Sequence, residues 1–141
     1  GLRAILATGW GGLKKISLPD DILLIEKAPH DALFDYVSAV VHHGGAGTTA
    51  AGLRAGLPTF ICPSSFDQPY WGRLIYSLGL GPKPLSLKKL KAKEFSKSLI
   101  DLVENESYRS AAAKIGKRIA NENGVSRAVE LIESFSLKDK V

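Results

Sequence analysis

The run from residue 38 to residue 63 limits the possible folds more than any other part of this chain. SAVVHH (38–43) is apolar up to two histidines, Gly44 to Gly47 place three glycines in four positions, TTAAGLRAG (48–56) has helical character, and TFICP (59–63) is apolar again. Strands that are apolar along their length and separated by helices indicate a parallel sheet covered on both faces. Gly56 and Pro58 end the intervening helix, glycine by supplying a left-handed cap and proline by blocking continuation.

The surrounding sequence repeats that alternation. RAILAT (3–8) and ILLIEK (22–27) read as strands joined by a loop, HDALFDYV (30–37) as a short helix with Leu33, Phe34 and Val37 on one face, and QPYWGRLIYSLG (68–79) as a further helix. The expected fold class is therefore α/β, a Rossmann-like parallel sheet with helices on both faces. The last third is expected to be a helical tail. Phe95, Leu99 and Leu102, then Tyr108, Ala112, Ile115 and Ile119, then Val125, Val129, Ile132 and Phe135 each step by three or four, and Asn123-Gly124 reads as a stop between the last two helices.

The 141 residues fit one domain spanning 1–141, and 45% hydrophobic residues supply an ordinary core. Four strands are fewer than the five or six usual in a doubly wound nucleotide-binding domain. With no methionine and a start at Gly1, the chain is expected to be part of a longer protein, lacking its first strand and helix. The single cysteine, Cys62, lies within an apolar run and reads as a buried hydrophobe in a reducing compartment, so a cytoplasmic location is expected. No apolar run reaches the roughly 18–20 residues that a bilayer requires. Much of the net charge of +5 sits in KPLSLKKLKAKEFSK (83–97), with Lys83, Lys88, Lys89, Lys91, Lys93 and Lys97. That segment has no arginine and one aromatic, Phe95, so it argues against nucleic acid. A solvated lysine face or peripheral contact with an anionic membrane remains open.

The glycine turn has chemistry of its own. Ligands of open parallel sheets bind beyond the carboxyl ends of the strands, where a following helix presents unpaired N–H groups and the positive end of its dipole. Gly44, Gly45 and Gly47 leave room for an anion to reach those amides, Thr48 and Thr49 add hydroxyl donors, and His43 adds a ring N–H. The spacing matches neither G-x-x-x-x-G-K-[ST] nor G-x-G-x-x-G. Taken alone, these residues allow a purely structural strand-to-helix turn as readily as a phosphate site.

Four motifs in the expected order are far more specific than any one of them alone. HHGGAGTTAAGLRAGLP, followed by FDQPYWGRLIYSLGLGP and preceded by GW and APHDALF, resembles the C-terminal half of the sterol glucosyltransferases. These are nucleotide-sugar-dependent enzymes with two Rossmann-like domains, the GT-B fold. The resemblance covers residues 1 to about 85 strongly and the helical tail in layout. It implies that His43 and the backbone of Gly45, Ala46, Gly47 and Thr48 hold the diphosphate of a UDP-sugar, expected to be UDP-glucose, with the Thr48 hydroxyl assisting. It implies that Asp67 and Gln68 bind the sugar hydroxyls, although Asp67 as a plain helix cap fits the residues equally well. Ala28, through its backbone, and His30 are implied in reading uracil, and Trp10 in walling the base or ribose. His42, on the opposite face of its strand, is expected to point into packing.

One departure narrows the match. Plant small-molecule glycosyltransferases carry a ribose-binding glutamate where this chain has Ala51, and the alanine agrees with the sterol-type pattern. The resemblance further implies inverting transfer to a sterol, another lipid or a small-molecule hydroxyl, with no metal and no cofactor besides the UDP-sugar co-substrate. The catalytic base and most acceptor contacts are expected in an N-terminal domain, so no catalytic residue is assigned to this chain. Two other classes fit the residues less well: a donor-binding subunit working with a separate acceptor-domain protein, and a basic surface module binding membrane or nucleic acid.

Overall fold

The computed structural model describes residues 1–9 and 17–138, with backbone only for 136–138. The chain divides into two compact units, Gly1–Val37 and Ser38–Val141.

In the first unit, β1 (Ala4–Ala7) pairs in parallel with β2 (Ile22–Ile25), Ala4 opposite Ile22 and Ala7 opposite Ile25. Pro29 then opens α1 (His30–Phe34), where its missing N–H costs nothing. The helix is shorter than its apolar spacing predicts. Its buried side chain is Phe34, and Asp35 and Tyr36 follow as a turn.

The second unit holds β3 (Val40–His42), α2 (Ala46–Arg54), β4 (Thr59–Ile61), α3 (Gln68–Ser77), a 3-10 turn over Leu87–Lys89, α4 (Ala92–Glu104), α5 (Glu106–Ala120) and α6 (Gly124–Lys138). β3 and β4 are parallel, with Val40 opposite Thr59 and His42 opposite Ile61. Every residue of β4 is buried, and alternation sends its side chains into two separate cores. Ile61 packs with Ile75 of α3, Leu80 just beyond that helix and Ala112 of α5, while Phe60 and Cys62 pack with Leu102 of α4 and with Phe95 and Leu99. Helices therefore cover both faces of this strand, as the consecutive apolar residues Phe60, Ile61 and Cys62 require. Each fully buried Ile, Leu or Phe contributes about 1.5–3 kcal/mol.

Close backbone contact brings α5 onto the end of α2. A Cβ on Gly116 would lie 2.8 Å from the Gly56 Cα, so only glycine fits. Between α4 and α5, Asn105 caps the second helix by accepting from the Ser107 N–H at 3.1 Å, and its amide donates to Asp101. The Tyr108 hydroxyl also donates to Asp101, and burial, followed by that carboxylate, raises the tyrosine's pKa.

Two local expectations change. The Asn123-Gly124 stop falls elsewhere: Asn121 caps α5, and Gly124 is already the first residue of α6. The apolar stripe of α6 is exposed along its length, from Val125 at 80% to Phe135 at 67%.

Candidate functional site

The glycine turn converts the end of β3 into the start of α2 within three residues. Gly44 has φ +97, a conformation that side-chain-bearing residues avoid, and a Cβ there would come within 2.6 Å of Ile61 Cγ2 and 3.2 Å of the Gln68 carbonyl oxygen. The bare position thus lets the turn lie directly against the start of α3. Gly45 follows in extended conformation as the N-cap, with no side-chain cap. Thr49 N–H bonds to the Gly45 carbonyl at 2.9 Å, whereas the N–H groups of Ala46, Gly47 and Thr48 make no hydrogen bond among the described residues. These are the orphan donors of a helix start.

The side chains around those amides differ in their commitments. The His43 ring is exposed and sits over the N-cap, since a Cβ on Gly45 would be 2.8 Å from His43 Nε2. His42 is half-buried on the opposite face, and its Nδ1 accepts the Gly44 N–H at 3.0 Å. Gly47 has nothing within 4 Å of a built Cβ and no positive φ, so neither packing nor backbone geometry explains a glycine there. Thr49 corrects the expectation of two hydroxyl donors. It is fully buried and its Oγ1 donates to the Gly45 carbonyl at 2.9 Å, so of the two threonines it is Thr48 whose hydroxyl makes no hydrogen bond among the described residues.

The second half of the site is the loop before α3. Asp67 occupies the N-cap position but makes no side-chain cap bond; its Oδ2 instead accepts from Trp71 Nε1 at 2.9 Å. The alternative of a simple capping aspartate is thereby removed. Gln68 Oε1 accepts from the N–H groups of Ser64 at 2.9 Å and Ser65 at 3.2 Å. Two backbone donors fix which end of the amide faces the loop, leaving the NH₂ group for any ligand. Phe66, just before the pair, has φ +55 and is 94% exposed.

In the first unit, Ala28 is half-buried and its backbone makes no hydrogen bond among the described residues. His30 is exposed and stacks on Phe34, centroids 5.0 Å apart. Trp10 lies outside the described residues. Sequence reasoning missed an open cavity of about 370 Å³ at the carboxyl ends of β1 and β2, lined by Thr8, Gly9, Glu26 and Lys27. Its one sequence signal was the strand-end position. Thr8 Oγ1 and Gly9 N–H both donate to the Glu26 carbonyl, tying the two strand ends together.

Other candidates carry less chemistry. Cys62 is buried, and desolvation pushes its thiol up to about 11, so it is a protonated core residue at neutral pH. No helix among the described residues is long and apolar enough to cross a membrane, and none of their His, Cys, Asp and Glu side chains cluster in threes as a metal site would require.

A parallel α/β fold of this kind is found in GT-B glycosyltransferases. The glycosyltransferase of kitacinnamycin superposes with a TM-score of 0.82 at 21% identity, over 94% of this chain and 34% of that one. The glycosyltransferase VinC, solved in complex with dTDP, gives a TM-score of 0.74 at 28% identity, over 83% of this chain and 30% of VinC. The chain belongs to the family described as erythromycin biosynthesis protein CIII-like, C-terminal domain, whose model matches residues 10–133. Its relatives include sterol 3-beta-glucosyltransferase UGT80B1 of Arabidopsis thaliana, 45% identical over 91% of this chain and 21% of that protein. The sterol 3-beta-glucosyltransferase of Yarrowia lipolytica is 44% identical over 93% of this chain and 9% of its own length. The chain thus spans about a fifth of the plant relative and about a tenth of the fungal one.

Proposed function

We propose that this chain is the donor-binding domain of an inverting glycosyltransferase, part of a longer two-domain protein, that holds UDP-glucose for transfer to the hydroxyl of a sterol or another lipid or small molecule. The observation that carries this reading is the start of α2. Three uncommitted amides, the His43 ring and an unexplained glycine at 47 converge there, and Gly44 brings them against Gln68.

In this reading Gly45, Ala46, Gly47 and Thr48 bind the diphosphate through backbone N–H groups, assisted by the Thr48 hydroxyl and a His43 ring N–H. The acceptor oxygen attacks the anomeric carbon as its bond to the diphosphate oxygen breaks, and negative charge grows on departing UDP. Oriented amides and the helix dipole stabilise that charge without reorganising, in the manner of an oxyanion hole, so no metal ion is invoked. Asp67 accepts from sugar hydroxyls, while Gln68 contributes as a donor. Ala28 and His30 read the uracil and Trp10 walls the base or ribose, roles that rest on the family resemblance. The acceptor's proton goes to a base outside this chain.

The test is titration with UDP and UDP-glucose. His43→Ala is expected to weaken both ligands, and Asp67→Ala only the one carrying sugar. Equal affinity of both variants and the parent for both ligands would overturn the site assignment.

The lysine segment supports a second, compatible role. Lys88, Lys89, Lys91 and Lys93 are exposed beside Leu87 at 45% and Leu90 at 38% exposure, a pairing of charge and apolar surface suited to an anionic membrane face. Salt-sensitive sedimentation with phosphatidylserine vesicles but not with neutral ones is expected; no sedimentation with either would remove this role.

A further inference from the structure

Asp67 projects from an exposed position, where a carboxylate on its own would sample several rotamers. Here it does not stand alone. One helical turn on, Trp71 donates its indole N–H to Oδ2 at 2.9 Å, while Oδ1 makes no hydrogen bond among the described residues. Trp71 is itself held. Its ring packs on the core formed by Ile61, Ile75, Leu80 and Ala112 and meets Tyr70 edge-on, centroids 5.4 Å apart. The loop behind Asp67 is pinned as well, by the two backbone N–H bonds to Gln68 Oε1. A rigid aromatic anchored in the core thus occupies one carboxylate oxygen and leaves the other for a ligand.

We propose that Trp71 is the positioning residue of the donor-sugar site: by holding Oδ2 of Asp67 it presets the carboxylate whose Oδ1 receives a sugar hydroxyl. This rests on the reading of Asp67 as a sugar contact, and adds to it the cause of the carboxylate's orientation. The physical gain is preorganisation, since the rotamer entropy of Asp67 is given up on folding rather than on binding. The charge-assisted indole bond supplies the hold. Spacing of four residues on a helix is what lets the two side chains meet, and neither phenylalanine nor tyrosine at 71 would offer a donor at the indole nitrogen's position.

The test is a double-mutant cycle read with two ligands. In the 141-residue chain, Trp71→Phe keeps an apolar ring in the core and removes the donor. It is expected to raise the Kd for UDP-glucose about five- to tenfold, the loss of one preorganised polar contact, and to leave the Kd for UDP unchanged. In an Asp67→Ala background the same substitution is expected to have no effect on either ligand. A parallel measurement needs no change at 71. The sequence has two tryptophans, so the Trp71 indole N–H is readily assigned in a nitrogen-15 spectrum, and it is expected to move when UDP-glucose is added and not when UDP is added. If Asp67→Ala abolishes the sugar effect while Trp71→Phe leaves it intact, the positioning role is wrong and the sugar reading stands. If Trp71→Phe weakens both ligands alike in both backgrounds, its role is purely structural. If Asp67→Ala changes neither ligand, the sugar reading itself fails. Should Trp71→Phe not fold, an indole signal indifferent to UDP-glucose overturns the proposal.

Discussion

Replacing Gly47 by alanine separates a folding requirement from a binding requirement in one substitution. Gly47 is the second residue of α2, its φ is not positive, and a Cβ built on it meets no atom within 4 Å. Alanine therefore fits the fold, and removing a helical glycine is worth up to about 0.5–1 kcal/mol. For a chain of this size that is a rise in Tm of about 1–4 °C. Binding should move the other way. If a phosphoryl oxygen approaches the amides of Ala46 to Thr48, an added methyl at 47 holds it back, and one charge-assisted hydrogen bond is worth about 1.5–3 kcal/mol. The Kd for UDP should rise about ten- to a hundredfold. Differential scanning fluorimetry and calorimetric titration of the same sample read both signs. A more stable variant that binds UDP like the parent would show that this position has no part in holding the phosphates. A less stable one would refute the claim that the space around it is open.

Three further outcomes follow from neighbouring geometry. Gly44→Ala should lower stability by about 2–5 kcal/mol in urea unfolding, from left-handed backbone strain and the 2.6 Å approach to buried Ile61; a loss under about 1 kcal/mol would contradict it. Phe66→Gly should raise stability by about 1 kcal/mol, because φ +55 is relieved at a side chain that is 94% exposed; a Tm at or below the parent's would contradict it. Cys62 should resist a thiol reagent until the chain unfolds. Its raised pKa contributes stability that is complete below the ordinary thiol value of 9.0 and is lost as pH climbs toward about 11, so unfolding midpoints should fall across that interval and not below it.

The parts of this structure that were legible in the sequence are those set by periodicity. TFIC, apolar from Phe60 on, became a strand buried on both faces, and the stripes Phe95-Leu99-Leu102 and Tyr108-Ala112-Ile115 became the inward faces of α4 and α5. Boundaries near glycine were less legible. The helix predicted from Thr48 begins at Ala46, because Gly45 takes the extended N-cap conformation and glycine at 47 is tolerated in the first turn. Helical phase also separates two threonines that look equivalent in sequence, turning Thr49 inward and leaving Thr48 half-buried. The Asp67–Trp71 bond was out of reach because it depends on two side-chain rotamers, which spacing permits but does not require. The cavity between Thr8 and Lys27 forms from strand ends that are far apart in sequence, and only tertiary pairing brings them together.

The most direct measurement follows the backbone amides themselves. With the nitrogen-15-labelled chain titrated with UDP, the largest shifts are expected at the N–H groups of Gly45, Ala46, Gly47 and Thr48, with smaller ones in the rest of α2. Saturable UDP binding that moves other signals while those four stay in place would mean that the start of α2 is a turn and not the site.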